Sequence, residues 1–180
     1  MSNKIQHFNR RKVLRTVGTL SIAGVLGSGG VLAQSDRGTF ERKIAEVRRA
    51  TAQYNDVKKA IEDGYVYDNT VPQMGHHFVN FALLGEPGNP GPQDVLQPEI
   101  LVYGQANPNS RPILGAVEYA DWEDERQLFD HDDEIWDPPG EPGPPFWTLH
   151  VWCHTNNPNG LFAPLNPRRQ FNPPDGDPLD

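Results

Sequence analysis

Three short apolar runs each carry a side chain able to bind a metal ion or move a proton. In His76-His77-Phe78-Val79-Asn80-Phe81, strand alternation puts His77, Val79 and Phe81 on one face. In 113–122, Leu114, Ala116, Glu118 and Ala120 share a face, so Glu118 emerges from an apolar stripe. In 146–152, His150 lies between Leu149 and Val151 and shares a face with Trp152 and, beyond it, His154. A carboxylate in a strand that is apolar on both sides is costly unless something pairs with it. His77 and His150 are the partners at hand. Two imidazoles and a carboxylate form a ligand set for a divalent transition metal, zinc or copper ahead of iron, with water completing the shell. An open coordination position would let that water serve hydrolysis or redox chemistry. The alternative needs no metal: Glu118 accepts hydrogen bonds from a buried His or Tyr in a structural network. No H-E-x-x-H spacing decides between them, and His76 and His154 remain open as further members.

Other chemistries are poorly provided for. There is no G-x-S-x-G, and Cys153 alternates onto the face opposite His150, which leaves no nucleophile beside a base. No Gly-rich phosphate loop precedes a helix, and no C-x-x-C-H haem site exists. Asp130-His131-Asp132-Asp133-Glu134 is acidic enough to hold calcium but lacks the glycine and ligand order of an EF-hand. It reads as a solvated loop with His131 on the surface. The four tryptophans suit either sugar stacking or a core.

The elements that position these residues follow from spacing. Between 39 and 63 there is no Pro or Gly, and Phe40, Ile44, Val47, Ala50, Tyr54, Val57 and Ile61 recur every three or four residues. This predicts one long amphipathic helix, capped by Thr39, ended by Gly64 and kinked near Tyr54-Asn55. The runs 76–84, 100–105, 113–122 and 146–152 have the length and the β-branched or aromatic content of strands. The Pro- and Gly-rich stretches 85–98 and 137–145 read as long loops. The expected fold is therefore α+β: an N-terminal helix packed on a mostly antiparallel sheet of about four strands. The domain should span 34–167, with a Pro-rich tail at 168–180.

The first 33 residues predict where the protein works. Arg10-Arg11 is followed by a weakly apolar run over 17–32 that ends in Val31-Leu32-Ala33, the order of a cleavable export signal of the twin-arginine type. Its many Gly, Ser and Thr residues suit a membrane anchor poorly. Cleavage would start the mature chain near Gln34. It would remove Lys4, Arg10, Arg11, Lys12 and Arg15 from 16 basic residues and nothing from 24 acidic ones, taking the net charge from −8 to about −13. Such acidity argues against nucleic acid and anionic membrane as partners and suits a salty medium. The expected partner is a small molecule or another protein. With one cysteine, Cys153, no intramolecular disulfide is possible, and its neighbours predict a small buried apolar role.

The order of several blocks resembles a family of uncharacterised exported bacterial and archaeal proteins. The blocks are Thr51-Ala52-Gln53-Tyr54-Asn55-Asp56-Val57, Gly64-Tyr65, Met74-Gly75-His76-His77-Phe78-Val79-Asn80, Pro98-Glu99-Ile100-Leu101-Val102-Tyr103, Gly115-Ala116-Val117-Glu118-Tyr119, Leu149-His150-Val151-Trp152 and Asn157-Pro158-Asn159-Gly160-Leu161-Phe162-Ala163-Pro164. The resemblance covers about 51–167 and implies export but no particular activity. Its recurring polar residues fall on His77, Glu118 and His150. The family pattern has an aromatic where this chain has His154 and a histidine where it has Asn156, which weighs against His154 as a site residue. Two functional expectations stand: an exported metal-binding protein, with or without enzymatic activity, or a non-catalytic extracellular binding module whose His/Glu cluster is structural.

Overall fold

The computed structural model describes residues 29–105, 110–123, 126–140 and 143–169, with side chains from Arg37 onward. Most of the expected export segment and the last residues of the tail therefore lie outside the described residues. Among the described residues, no helix is long and apolar enough to cross a membrane.

The described residues open with helix α1 (Gly29–Thr51). Ile44, Val47 and Thr51 are its buried positions, spaced three and four residues apart as one helical face requires. Where the sequence places a kink, a 3-10 turn (Ala52–Asn55) separates α1 from helix α2 (Val57–Glu62). The Asp56 carboxylate accepts the Lys58 N–H at 3.1 Å and caps α2. Gly64, at φ 94°, ends it. The Gly64 N–H reaches Ile61 and the Tyr65 N–H reaches Ala60, so two otherwise orphaned carbonyls are satisfied.

Five strands form an antiparallel sheet in the order β1-β2-β5-β6-β7: β1 (Val66–Val71), β2 (Gly75–Val79), β5 (Ile100–Gly104), β6 (Ile113–Asp121) and β7 (Trp147–Val151). A small separate hairpin pairs β3 (Gly85–Glu86) with β4 (Asn89–Pro90). The sheet has one strand more than expected. β1 is an edge strand interrupted by the polar Asp68 and Asn69, and a bulge between Tyr67 and Asn69 spoils its alternation.

Two further expectations are corrected. The run 76–84 is not all strand, because the Asn80 side chain accepts the Ala82 and Leu83 N–H groups and starts helix α3 (Phe81–Leu84). Phe81 is consequently 56 % exposed rather than on the His77 face. In β6 the pairing slips around Gly115, with Tyr103 opposite Leu114 and Val102 opposite Ala116. That irregularity sends Leu114 into the opposite core cluster from Ala116.

The sheet has two dissimilar faces. One packs Phe78, Leu101, Tyr103, Val117, Tyr119 and Leu149 against Ile44 and Val47 of α1 and Ala60 of α2. Buried tyrosines tie this layer down: Tyr65 donates to the Pro98 carbonyl, Tyr103 to Tyr54 and Tyr119 to Val95, at 2.7, 2.6 and 2.7 Å. Cys153 is buried in the same layer. The other face carries Val79, Ile100, Val102, Ala116, Ala120 and Trp152, and loops rather than a long helix cover it. One cover is the segment after Phe162. Asn166, fully buried, donates its backbone N–H to Gln73 at 2.9 Å and its side-chain amide to Asn156 at 3.2 Å, which pins the chain there.

Candidate metal centre

His77 on β2, Glu118 on β6 and His150 on β7 all project from the loop-covered face. Glu118 and His150 are direct cross-strand partners, and Glu118 is also opposite Ile100 of β5. His77 pairs with Val102, two residues along from Ile100, and lies two strands from Glu118. The flanking positions on β6 are Ala116 and Ala120, whose small side chains leave room for the carboxylate to lie across the sheet toward the imidazole. Gly75 makes the His77 strand possible. At φ 140° its missing Cβ would stand 2.3 Å from the Tyr103 carbonyl oxygen, so no larger residue fits.

The three side chains are 4 % (Glu118), 2 % (His150) and 6 % (His77) exposed. His77 Nε2 lies 3.5 Å from Glu118 Oε2, and His150 Nδ1 lies 3.4 Å from Glu118 Oε1. The rings stand perpendicular with centroids 6.0 Å apart. One ligand atom from each residue falls within 4.8 Å of the others, and this is the one such trio found among the described residues. The separations are too long for good hydrogen bonds. Of the atoms in these contacts, Glu118 Oε2 and His150 Nδ1 are buried without a hydrogen-bond partner, and so are His77 Nδ1 and His150 Nε2 on the far sides of their rings. Two donors held by one tetrahedral ion at roughly 2.0–2.1 Å stand about 3.4 Å apart. The two separations run to different oxygens of Glu118, so the cluster is compatible with an ion held beside the carboxylate or with a structural network.

Burial also sets the protonation of the metal-free cluster. It pushes Glu118 up to about 8, with a neighbouring Asp137 adding to the rise and a hydrogen bond from the Thr148 hydroxyl opposing it. Burial takes His77 down to about 4, against a weaker upward pull from the Asn69 backbone, and His150 to about 3, helped by His77. Without an ion the carboxyl is thus protonated and both imidazoles neutral at pH 7. Neutral imidazole is the form that binds metal.

The other candidates go elsewhere. His76 faces away from the trio, with its Nδ1 2.8 Å from the Thr70 hydroxyl and its ring near Tyr67. His154 Nε2 meets the Thr51 hydroxyl at 2.8 Å, at the end of α1. The acidic loop differs from its expected form: Glu134 turns inward to accept the N–H groups of Leu128, Phe129 and His131. His131 is partly covered by the rings of Phe40 and Phe162, at 4.1 and 5.9 Å, with about a third of its side chain still exposed. Trp136 and Trp152 are core residues whose indole N–H groups reach the carbonyls of Arg126 and Ala163.

The trio lines a cavity of about 460 Å³, a size usual for small-molecule sites. Sequence reasoning missed Asp137 and Thr148, which line it too. Thr148 could have been found, since it stands two residues before His150 and so on the same strand face. Asp137 could not, because it reaches the site only through a bridge: its N–H donates to the Thr148 carbonyl at 2.8 Å and its carbonyl accepts the Thr148 N–H at 3.0 Å. No family model, curated protein or solved structure matches the chain, so the geometry carries the functional argument.

Proposed function

We propose that this chain is an exported protein that binds one divalent transition metal ion through His77, Glu118 and His150. The observation that carries the reading is a buried carboxyl with two buried imidazoles at 3.4–3.5 Å, where Glu118 Oε2 and His150 Nδ1 are left without a hydrogen-bond partner. Each orphaned buried polar atom costs roughly 1–3 kcal/mol, and an ion removes several such costs at once. An octahedral ion with similar bond lengths spaces adjacent ligands only about 3.0 Å apart. The wider spacing therefore favours a tetrahedral ion such as zinc. A fourth position directed into the cavity would give the ion Lewis-acid capacity. Export rests on the Arg10-Arg11 pair, the apolar run and the small-residue exit, and on the resemblance to exported proteins over 51–167.

Zinc and copper titrations of the purified full chain, followed by elemental analysis after gel filtration, test this. One ion per chain is expected, with Glu118→Gln and His150→Ala losing it while still folded by circular dichroism. A second reading is favoured by the Thr148 hydroxyl on Glu118, which together with a retained proton makes a neutral structural network. That reading gains if the folded wild type binds no metal, or if Glu118→Gln binds as much as the wild type.

A further inference from the structure

The walls above the trio have a consistent character. Val71, Met74, Phe146 and Leu165 supply apolar surface from three separate segments, and the acidic side chains there besides Glu118 are Asp68 and Asp137. No Lys or Arg stands among the described residues that line the cavity. A site built for phosphates or carboxylates normally provides a guanidinium, an ammonium or a helix N-terminus; here the walls supply acids and hydrocarbon. Asp137 is the better placed of the two acids. Its backbone is locked to Thr148, and directly paired residues project to the same face of a sheet, so its carboxylate belongs to the face that carries Glu118 and His150.

We propose that the cavity is a binding site for a small apolar nitrogen donor, an amine or azole. Its nitrogen would take the open metal position, its N–H would meet Asp137, and its hydrocarbon body would pack on Val71, Met74, Phe146 and Leu165. This rests on the metal reading above and adds the ligand class. An azole satisfies every wall group at once: one ring nitrogen is a lone-pair donor, the other carries the proton an acid can accept. Anionic ligands meet the ion but also two carboxylates with no cation to offset them. The acidic balance of the chain, −8 over the full sequence, adds to their exclusion.

The test uses the full chain loaded with cobalt(II), whose visible absorption reports its ligands. The probes are 4-phenylimidazole, imidazole and inorganic phosphate. The expected result is a shift of the cobalt bands by 4-phenylimidazole at a concentration at least about tenfold below that needed with imidazole, because the phenyl group buries against the apolar wall. Phosphate should produce no shift at tenfold higher concentration still. Leu165→Ala, at an exposed wall position, should narrow the gap between the two azoles, and Asp137→Asn should weaken both by several-fold without changing cobalt affinity. Phosphate binding as tightly as 4-phenylimidazole, equal affinities for the two azoles, or removal of the cobalt by the probes would each overturn the ligand assignment while leaving the metal reading intact. Failure of the chain to bind cobalt would overturn the metal reading itself, and the ligand assignment with it.

Discussion

Two places in this sheet bury carboxyl groups, and they are finished in different ways. At one, Glu99 and Asp121 share Arg126: its guanidinium lies 2.7 Å from Asp121 and 3.7 Å from Glu99, and donates to the Ala120 carbonyl. Glu99 also accepts the Ala120 N–H, and Asp121 accepts the Gln93 amide. At the other, Glu118 has two neutral imidazoles and one hydroxyl around it and no protein cation among its described neighbours. The first cluster contains its own counter-charge. The second has the donors of a coordination shell arranged about a point that no side chain fills. The comparison teaches that burial alone does not identify a candidate site; what marks it is a buried group of metal-ligating donors whose hydrogen bonds the chain does not itself complete.

Removing Arg126 should give the largest effect and should be indifferent to metal. Arg126→Met leaves two buried carboxyls without their cation, a change that costs roughly 3 kcal/mol. Denaturant unfolding with and without chelator should show the same loss. An equal loss in Glu118→Gln, measured without metal, would erase the contrast, because that substitution replaces a carboxyl already holding its proton.

The second prediction concerns pH. Glu118 near 8 in the folded chain, against an ordinary 4.5, holds a proton that the unfolded chain releases; stability contributed by this group falls as pH rises from about 4.5 to 8. Glu99, raised by burial to about 7, acts in the same direction over a shorter range. His77, His150 and His154, near 4, 3 and 4 against 6.5, act oppositely: the unfolded chain takes up protons first, so stability rises up to about pH 6.5. Above that only the carboxyl drift remains. Metal-free protein should therefore be most stable near pH 6.5 and lose about 2 kcal/mol by pH 8. With metal bound Glu118 is ionised as a ligand, and most of that decline should vanish. Unfolding curves at the two pH values, with chelator and with zinc, check both signs.

Thr148→Val should give the smallest effect. It removes the hydroxyl that orients Glu118 but keeps the shape, so metal affinity should fall about tenfold with little change in metal-free stability. An unaltered affinity in a competition titration would show that the carboxylate is held by the sheet alone.

Much of this was legible in residue order, for identifiable reasons. β5, β6 and β7 announce themselves because their central residues are apolar on both faces, and Glu118 stands out against that background. β1 was hidden because an exposed edge with Asp68 and Asn69 has no apolar stripe. Leu114 was assigned to the wrong face because strict alternation fails at the Gly115 irregularity, which only pairing with β5 reveals. The strand after His77 was read too long because Asn80 acts through its side-chain oxygen on N–H groups ahead of it, a cap that a run of apolar residues disguises. The acidic neighbours of His131 suggest full solvation; Phe40 and Phe162, distant in sequence, cover part of its ring. The trio was readable from burial logic, whereas its cavity was not, since Val71, Phe146 and Leu165 meet only after folding.

The central claim is that one ion sits among His77, Glu118 and His150. Crystals of the zinc-loaded full chain, with diffraction recorded on either side of the zinc absorption edge, address it most directly. The account predicts a single strong anomalous peak about 2 Å from an imidazole nitrogen of each histidine and from a Glu118 oxygen. A peak at the acidic loop around Asp130–Glu134 with none at the trio, or a trio closed by direct hydrogen bonds with no peak at all, would contradict it.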